Sequence, residues 1–256
     1  MFDLSNEANF IDLTSNFKNE INFSQSDRKI LVFKDVDGGI KLDIEKNVEL
    51  NLTIIFLPSE KKETKKFMLD FNLAERANLN LFLANLTYTN SDEKVEINLN
   101  EPGSKVEYYG ATIAHKESKK SSIIKVSHLA RETASNIKTY EVLKDTSNGF
   151  IRCISDIRKG SSSSEAHQEL RLLVLDKNAK ADSDPVLLID ENDIVASHAN
   201  AIGMLDPEQI FYLQSRGLKK EQAQELIVNG YFEPVFLNLN DAKLEEELKK
   251  ILKGMI

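Results

Sequence analysis

The chain has 256 residues, with 33 Lys and Arg against 41 Asp and Glu, a formal net charge of −8, one Cys and no Trp. That length allows one or two domains with a core large enough to need no disulfide or metal staple, and a lone cysteine fits a reducing, cytoplasmic compartment. No run approaches eighteen apolar residues, which argues against a membrane-spanning helix, and an acidic balance without a basic, aromatic-interleaved stripe argues against nucleic acid as main ligand.

The N-terminus, Met1 to Glu7, lacks the basic and apolar regions of a signal peptide, and residues 1–29 are read as an N-terminal segment. From about residue 30 to 204 the pattern is that of strands. Phe67-Leu69-Phe71-Leu73, Leu79-Leu81-Leu83, Val95-Ile97-Leu99 and Ile124-Val126 place an apolar residue at every second position, which puts those side chains on one face of a pleated strand. Asp37-Gly38-Gly39, Glu101-Pro102-Gly103 and Ser147-Asn148-Gly149 supply turn chemistry between them. The lysines Lys61, Lys62, Lys65 and Lys66, and those from Lys116 to Lys120, read as solvated loops. Strand ends such as Leu73-x-Glu75, Leu99-x-Glu101 and Ile189-x-Glu191 recur at a loose spacing of roughly 25–32 residues, in the range of solenoid repeats. A β-helix or flattened β-solenoid fits best, with a sandwich of long strands as the alternative.

The character changes at residue 205, where a helical domain, 205–256, begins. Leu205-Asp206-Pro207-Glu208-Gln209-Ile210 combines a capping Asp, a proline at the first helical position, a capping-box Gln and a hydrophobic staple, and Gly217 ends the helix. A second helix is expected from Lys219 to Val228, stopping at Asn229-Gly230. A third is expected after an Asn240 cap, with Leu244, Leu248, Ile251 and Leu252 as its apolar stripe.

Enzymatic signatures are missing. Gly38-Gly39 is no phosphate loop, and there is no Gly-x-Ser-x-Gly, Cys-x-x-Cys or His-Glu-x-x-His. Ser161 to Ser164 reads as a loop rather than a nucleophile. His115, His128, His167 and His198 are each read first as structural, although imidazole is a common metal ligand. Cys153 alone cannot hold an iron–sulfur cluster, which needs several ligands, so a complete site would draw on another subunit or a small molecule. The carboxylates Asp182, Asp184, Asp190, Glu191 and Asp193 are weighed as an acid/base or calcium group and read as turn composition.

The stretch from His128 to Pro234 carries Ser127-His128-Leu129-Ala130-Arg131-Glu132, Ala196-Ser197-His198-Ala199-Asn200-Ala201-Ile202-Gly203, Leu205-Asp206-Pro207-Glu208-Gln209-Ile210-Phe211-Tyr212-Leu213-Gln214-Ser215-Arg216-Gly217 and Asn229-Gly230-Tyr231-Phe232. This ordered set closely resembles the SufB/SufD family of iron–sulfur cluster assembly proteins. The resemblance implies a mainly β protein, a right-handed parallel β-helix followed by a C-terminal α-helical domain. It further implies a non-catalytic scaffold of a SufBCD-type complex that pairs with a SufB-like protein or with itself through the β-helix. A SufC-type ABC ATPase would dock on the helices, through Leu205, Asp206, Phe211, Tyr212, Arg216, Gly217, Leu226, Ile227 and Tyr231, and an iron–sulfur cluster would be assembled transiently with the partner. The SufD-type interface histidine falls on His198, the expected cluster or metal ligand. Ala199 replaces both the Glu usual after the SufB histidine and the Gly usual in SufD, and no cysteine stands near Glu169-Leu170, where the SufB type has one. SufD-like is therefore the better label, in a short form expected to lack most of the family's N-terminal helical region. A carbohydrate-active enzyme on a β-helix and an adhesive solenoid are the competing readings.

Overall fold

The computed structural model describes residues 10–12, 20–34, 37–58 and 64–256; Lys61, Lys62 and the Met1 to Glu7 segment lie outside them. The strands β1 (Phe10–Asp12), β3 (Asp27–Phe33), β5 (Glu49–Phe56), β7 (Asn78–Asn85), β9 (Lys105–Ala114), β11 (Ala134–Leu143), β13 (Ser164–Val174) and β15 (Ile194–Met204) form one parallel sheet in that order. The second sheet holds β2 (Glu20–Phe23), β4 (Gly38–Ile44), β6 (Lys65–Leu73), β8 (Ser91–Leu99), β10 (Lys119–His128), β12 (Asn148–Ile157) and β14 (Lys180–Ile189). Successive strands thus alternate between two facing sheets, and each pairs with the strand one coil away. The fold is a parallel β-solenoid. Leu79, Val106, Ser135, Ala166 and Ala196 share one row of the lumen, so a coil takes 27 to 31 residues. The sheets also take in residues before 30, since β1 pairs with β3 and β2 with β4.

Period-two alternation fills the lumen. Leu52, Leu81, Phe71, Ile97, Val126 and Ile137 are fully buried members of one apolar column system. At the corner leading from the second sheet back to the first, Asn47, Arg76, Gly103, Glu132 and Ser163 all have positive φ, between 55° and 73°. A non-glycine residue there costs about 1–2 kcal/mol. The stacked coils offset that cost, because each of these amides donates to a carbonyl of the next coil: Asn47 to Glu75, Arg76 to Pro102, Gly103 to Arg131, Glu132 to Ser162 and Ser163 to Asp193.

The helices α1 (Pro207–Ser215), α2 (Lys220–Leu237) and α3 (Ala242–Lys253) follow. The Asp206 carboxylate caps α1 by accepting from the Glu208 amide (2.9 Å), and Gly217, at φ +95°, follows its end. The second helix runs nine residues beyond its expected stop at Val228, through Gly230 and Pro234. Packing outweighs the local preference here. Val228, Phe232, Val235 and Phe236 are buried against Ile55, Ala84, Ala111, Ile113 and Val142 on the outer face of the first sheet. A helical Gly costs about 1 kcal/mol and an interior Pro about 3 kcal/mol, against roughly 1.5–3 kcal/mol gained for each of the buried large side chains. The third helix is capped by Asp241 rather than Asn240, its carboxylate accepting from Lys243 (2.9 Å) and Leu244 (3.0 Å), where a negative charge also suits the helix dipole. One expected turn is displaced: Asp145-Thr146 makes it, and Asn148 and Gly149 open β12.

Candidate functional site

The two terminal strands, β14 and β15, each have one edge unpaired. On β13 the residues Ser164, Ala166, Gln168, Leu170 and Leu172 point into the lumen and are buried. Their register partners on β15 are Ile194, Ala196, His198, Asn200 and Ile202, which are half-buried or exposed. These five therefore line a lumen that no further described residue covers. His198 is among them, and Ser183 of β14 donates across the opening to the Asn200 side-chain carbonyl (2.9 Å). Leu188, Ile189, Val195, Ile202 and Met204 are all exposed on this end. Unpaired strand edges of this kind can accept a further strand.

Directly beneath His198 lies Gln168, which is 3 % exposed. Its amide nitrogen donates to Ser155 Oγ (2.8 Å) and to the Val186 carbonyl (3.1 Å), while its Oε1 is buried without a partner among the described residues. Leaving such an acceptor unmet costs about 1–3 kcal/mol.

A second polar group sits deeper, at the corner leading from the first sheet to the second. Lys120, expected in a solvated loop, is buried: its ammonium donates to the Thr87 carbonyl (2.7 Å), the Thr87 hydroxyl and the Thr89 carbonyl (2.6 Å). Lys65, expected in the same class, is also buried. The extended strand alternation overrides the loop reading, since Lys120 shares parity with Ile124 and Val126. Glu93 and Glu141 face the same corner. Asn85 donates weakly to Glu93 (3.3 Å), and both carboxyl oxygens of Glu141 are buried with no partner among the described residues. Burial pushes Glu93 up to about 7 and Lys120 down to about 7, and raises Glu141 well above the usual carboxylate range. Sequence reasoning missed this cluster, although parity with Val95 and Leu143 held the signal.

The remaining candidates are structural. His128 is fully buried, its Nδ1 and Nε2 lying 2.8 and 2.9 Å from Thr133 Oγ1 and Ser135 Oγ. Ser161 donates to the His128 carbonyl and Ser164 joins Thr133, so the serine run is partly interior. His115 is buried against Tyr88, and His167 meets Ser197 at 2.7 Å on the outer face. Cys153 is buried in the lumen, with its thiol pushed up to about 12. Of the carboxylates weighed for catalysis, Asp184 pairs with Arg152 (2.7 Å), Glu191 accepts from the Gly160 amide and Asp193 from Ser163. Among the described residues, no three His, Cys, Asp or Glu side chains converge as a metal site.

The helical domain carries the other surface. Leu205, Ile227 and Tyr231 pack against the core, whereas Phe211, Tyr212 and Leu226 are 73, 55 and 54 % exposed. Asp206 caps α1, Arg216 ends it with its guanidinium over the Tyr212 ring (5.3 Å), and Gly217 turns the chain. The first helix buries no residue. A cleft of about 770 Å³ opens between α1, one side of α2 and the sheet, with Tyr109, Tyr140, Arg171, Tyr212, Leu226 and Tyr231 among its walls. Tyr140 donates to Glu169 (3.1 Å), which also holds Arg171 (3.0 Å).

Residues 38–231 match the family model for the SUF system FeS cluster assembly SufBD core domain. The chain is 35 % identical over 129 residues to the iron–sulfur cluster assembly protein SufD of Bacillus subtilis, covering 50 % of this chain and 30 % of that protein. It is 40 % identical over 93 residues to a SufBD family iron–sulfur cluster assembly protein of Mycobacterium tuberculosis, covering 36 % of this chain and 23 % of that one. A Mycobacterium leprae SufBD family protein is 31 % identical over 111 residues, or 43 % of this chain and 13 % of the relative. The chain thus spans less than a third of the length of these relatives. With the family model covering most of its residues and a parallel solenoid followed by three helices, the chain belongs to the SufBD core family of the SUF iron–sulfur cluster assembly system.

Proposed function

We propose that the protein is a non-catalytic, SufD-like scaffold subunit of a cytoplasmic SUF assembly complex. The observation that carries this is the open terminal coil, with His198 on its uncovered luminal face beside two unpaired strand edges. A SufB-like chain or a second copy of this one pairs along β14 and β15, burying the exposed apolar residues there. His198 then contributes an imidazole to an iron–sulfur cluster whose other ligands come from the partner or from a small thiol. The SufC-type ATPase docks on α1 and the start of α2, where Phe211, Tyr212 and Leu226 offer apolar anchors that the protein leaves uncovered.

The test is anaerobic reconstitution of the complex, with and without His198→Ala, followed by the visible absorption of the cluster. Normal assembly by size-exclusion chromatography with sharply reduced cluster supports the ligand role; wild-type cluster on the variant removes it. Docking is tested with Phe211→Ser and Tyr212→Ser, which alter only exposed positions. Retention of ATPase binding at wild-type strength by both variants would sink the docking assignment.

A further inference from the structure

We propose that Gln168 is the positioning residue for His198, its Oε1 accepting the N–H of one imidazole nitrogen so that the other, unprotonated nitrogen faces the open end of the solenoid. This rests on the reading of His198 as a ligand and adds the group that holds it ready.

Three observations carry it. The first is orientation. The Gln168 amide cannot be flipped, because Val186 offers a carbonyl at 3.1 Å and only the NH₂ end can meet it. Ser155 Oγ, at 2.8 Å, holds the same nitrogen. The oxygen is therefore directed away from the second sheet by two independent bonds, one to β12 and one to β14. The second is need. That oxygen is buried and unpartnered among the described residues, and a buried carbonyl in this state is rare enough to require a donor.

The third is register. Gln168 and His198 are aligned partners on β13 and β15, and alternation puts both on the luminal face. Aligned residues of neighbouring strands lie about 4.8 Å apart, within the reach of an imidazole stacked on an amide. His198 is exposed and free to turn its ring onto that oxygen, and no other coil competes for the place. The hydroxyl of Ser155 and the Val186 carbonyl thus reach the histidine through Gln168, linking both sheets to one side chain.

The chemistry follows. A histidine ligates through a nitrogen lone pair, and the hydrogen bond made by the other nitrogen decides which one is available. Without an acceptor, an exposed imidazole divides between two tautomers and many rotamers. With Gln168 beneath it, one tautomer and one ring direction are held before any iron arrives.

Long-range ¹H–¹⁵N correlation on the full chain, labelled at histidine and kept above pH 8, reads the tautomer directly. The His198 signals are assigned as those lost in His198→Ala. The expected result is a single tautomer in the wild type. Gln168→Met should restore the mixture of free histidine. In the reconstituted complex, Gln168→Met should lower cluster formation by about 10–100-fold, the usual effect of removing an outer-shell partner. Should Gln168→Met not fold, the wild-type spectrum decides alone: a free-histidine mixture overturns the proposal. The two readings fail separately. A mixed tautomer together with cluster loss in His198→Ala overturns the Gln168 assignment only, whereas a fixed tautomer with undiminished cluster in His198→Ala overturns the ligand reading.

Discussion

The phenol of Tyr109 on β9 donates a 2.9 Å hydrogen bond to the backbone carbonyl of Tyr231 on α2, 122 residues further along the chain. The Tyr231 ring also lies 5.5 Å from that of Tyr140, and Tyr140 lies 5.1 Å from Tyr109. It is one of the polar ties between solenoid and helices, beside the Lys144 ammonium donating to the Ile256 carbonyl, within a contact that is otherwise largely apolar. Tyr109→Phe keeps the ring and removes the bond. It should destabilise the protein by about 1 kcal/mol, the typical worth of one such bond, and lower Tm by about 2–4 °C. Thermal unfolding followed by circular dichroism measures it, and an unchanged Tm would show that the tie carries no net energy.

Gly149 is required by the buried acid above it. A Cβ at this position would stand 2.6 Å from Glu141 Cδ and Oε1 and from Leu143 Cδ2. Gly149→Ala should cost about 1–3 kcal/mol through overpacking. Glu141→Ala empties most of that space, so the double variant should be less destabilised than the sum of the singles. Denaturant titrations of the four proteins form the cycle, and strict additivity would contradict the contact.

His128 makes stability depend on acid. Burial pushes its pKa down to about 4, from an ordinary value near 6.5. Between those values the unfolded chain binds more protons than the folded one, so this contribution is complete above pH 6.5 and is lost as pH falls toward 4. The loss amounts to about 3 kcal/mol. Glu93, raised to about 7, works in the opposite direction over part of that range, its contribution declining as pH rises from about 4.5 to 7. Comparing urea midpoints of wild type and His128→Asn at pH 7 and pH 5 isolates the histidine: the gap between them should narrow at pH 5. A constant gap would refute it.

Cys153 should resist alkylation. It is fully buried and its thiol is pushed up to about 12, so very little thiolate exists at neutral pH and none of it is accessible. Mass spectrometry after iodoacetamide treatment should find it unmodified in the folded protein and modified in denaturant. Rapid labelling of the native chain would place it elsewhere than in the lumen.

Much of this protein is legible in its sequence. Alternation in Phe67 to Leu73, Leu79 to Leu83 and Val95 to Leu99 is a local property, and so were the strands and the inward face of each. The start of α1 was equally plain, because Asp206 and Pro207 act within one helical turn. What alternation could not convey is which side chains a neighbouring coil covers. His198 and Gln168 have the same parity and similar surroundings in sequence, yet one is exposed and the other buried, since only one of them has a coil on both sides. Lys120, Glu93 and Glu141 come from three strands, and their meeting at one corner depends on coil length rather than on any local motif. The extension of α2 past Gly230 and Pro234 was likewise decided by tertiary packing. Its buried stripe gains more on the outer face of the sheet than the breakers cost, and the face that receives it is assembled from residues 30 to 175.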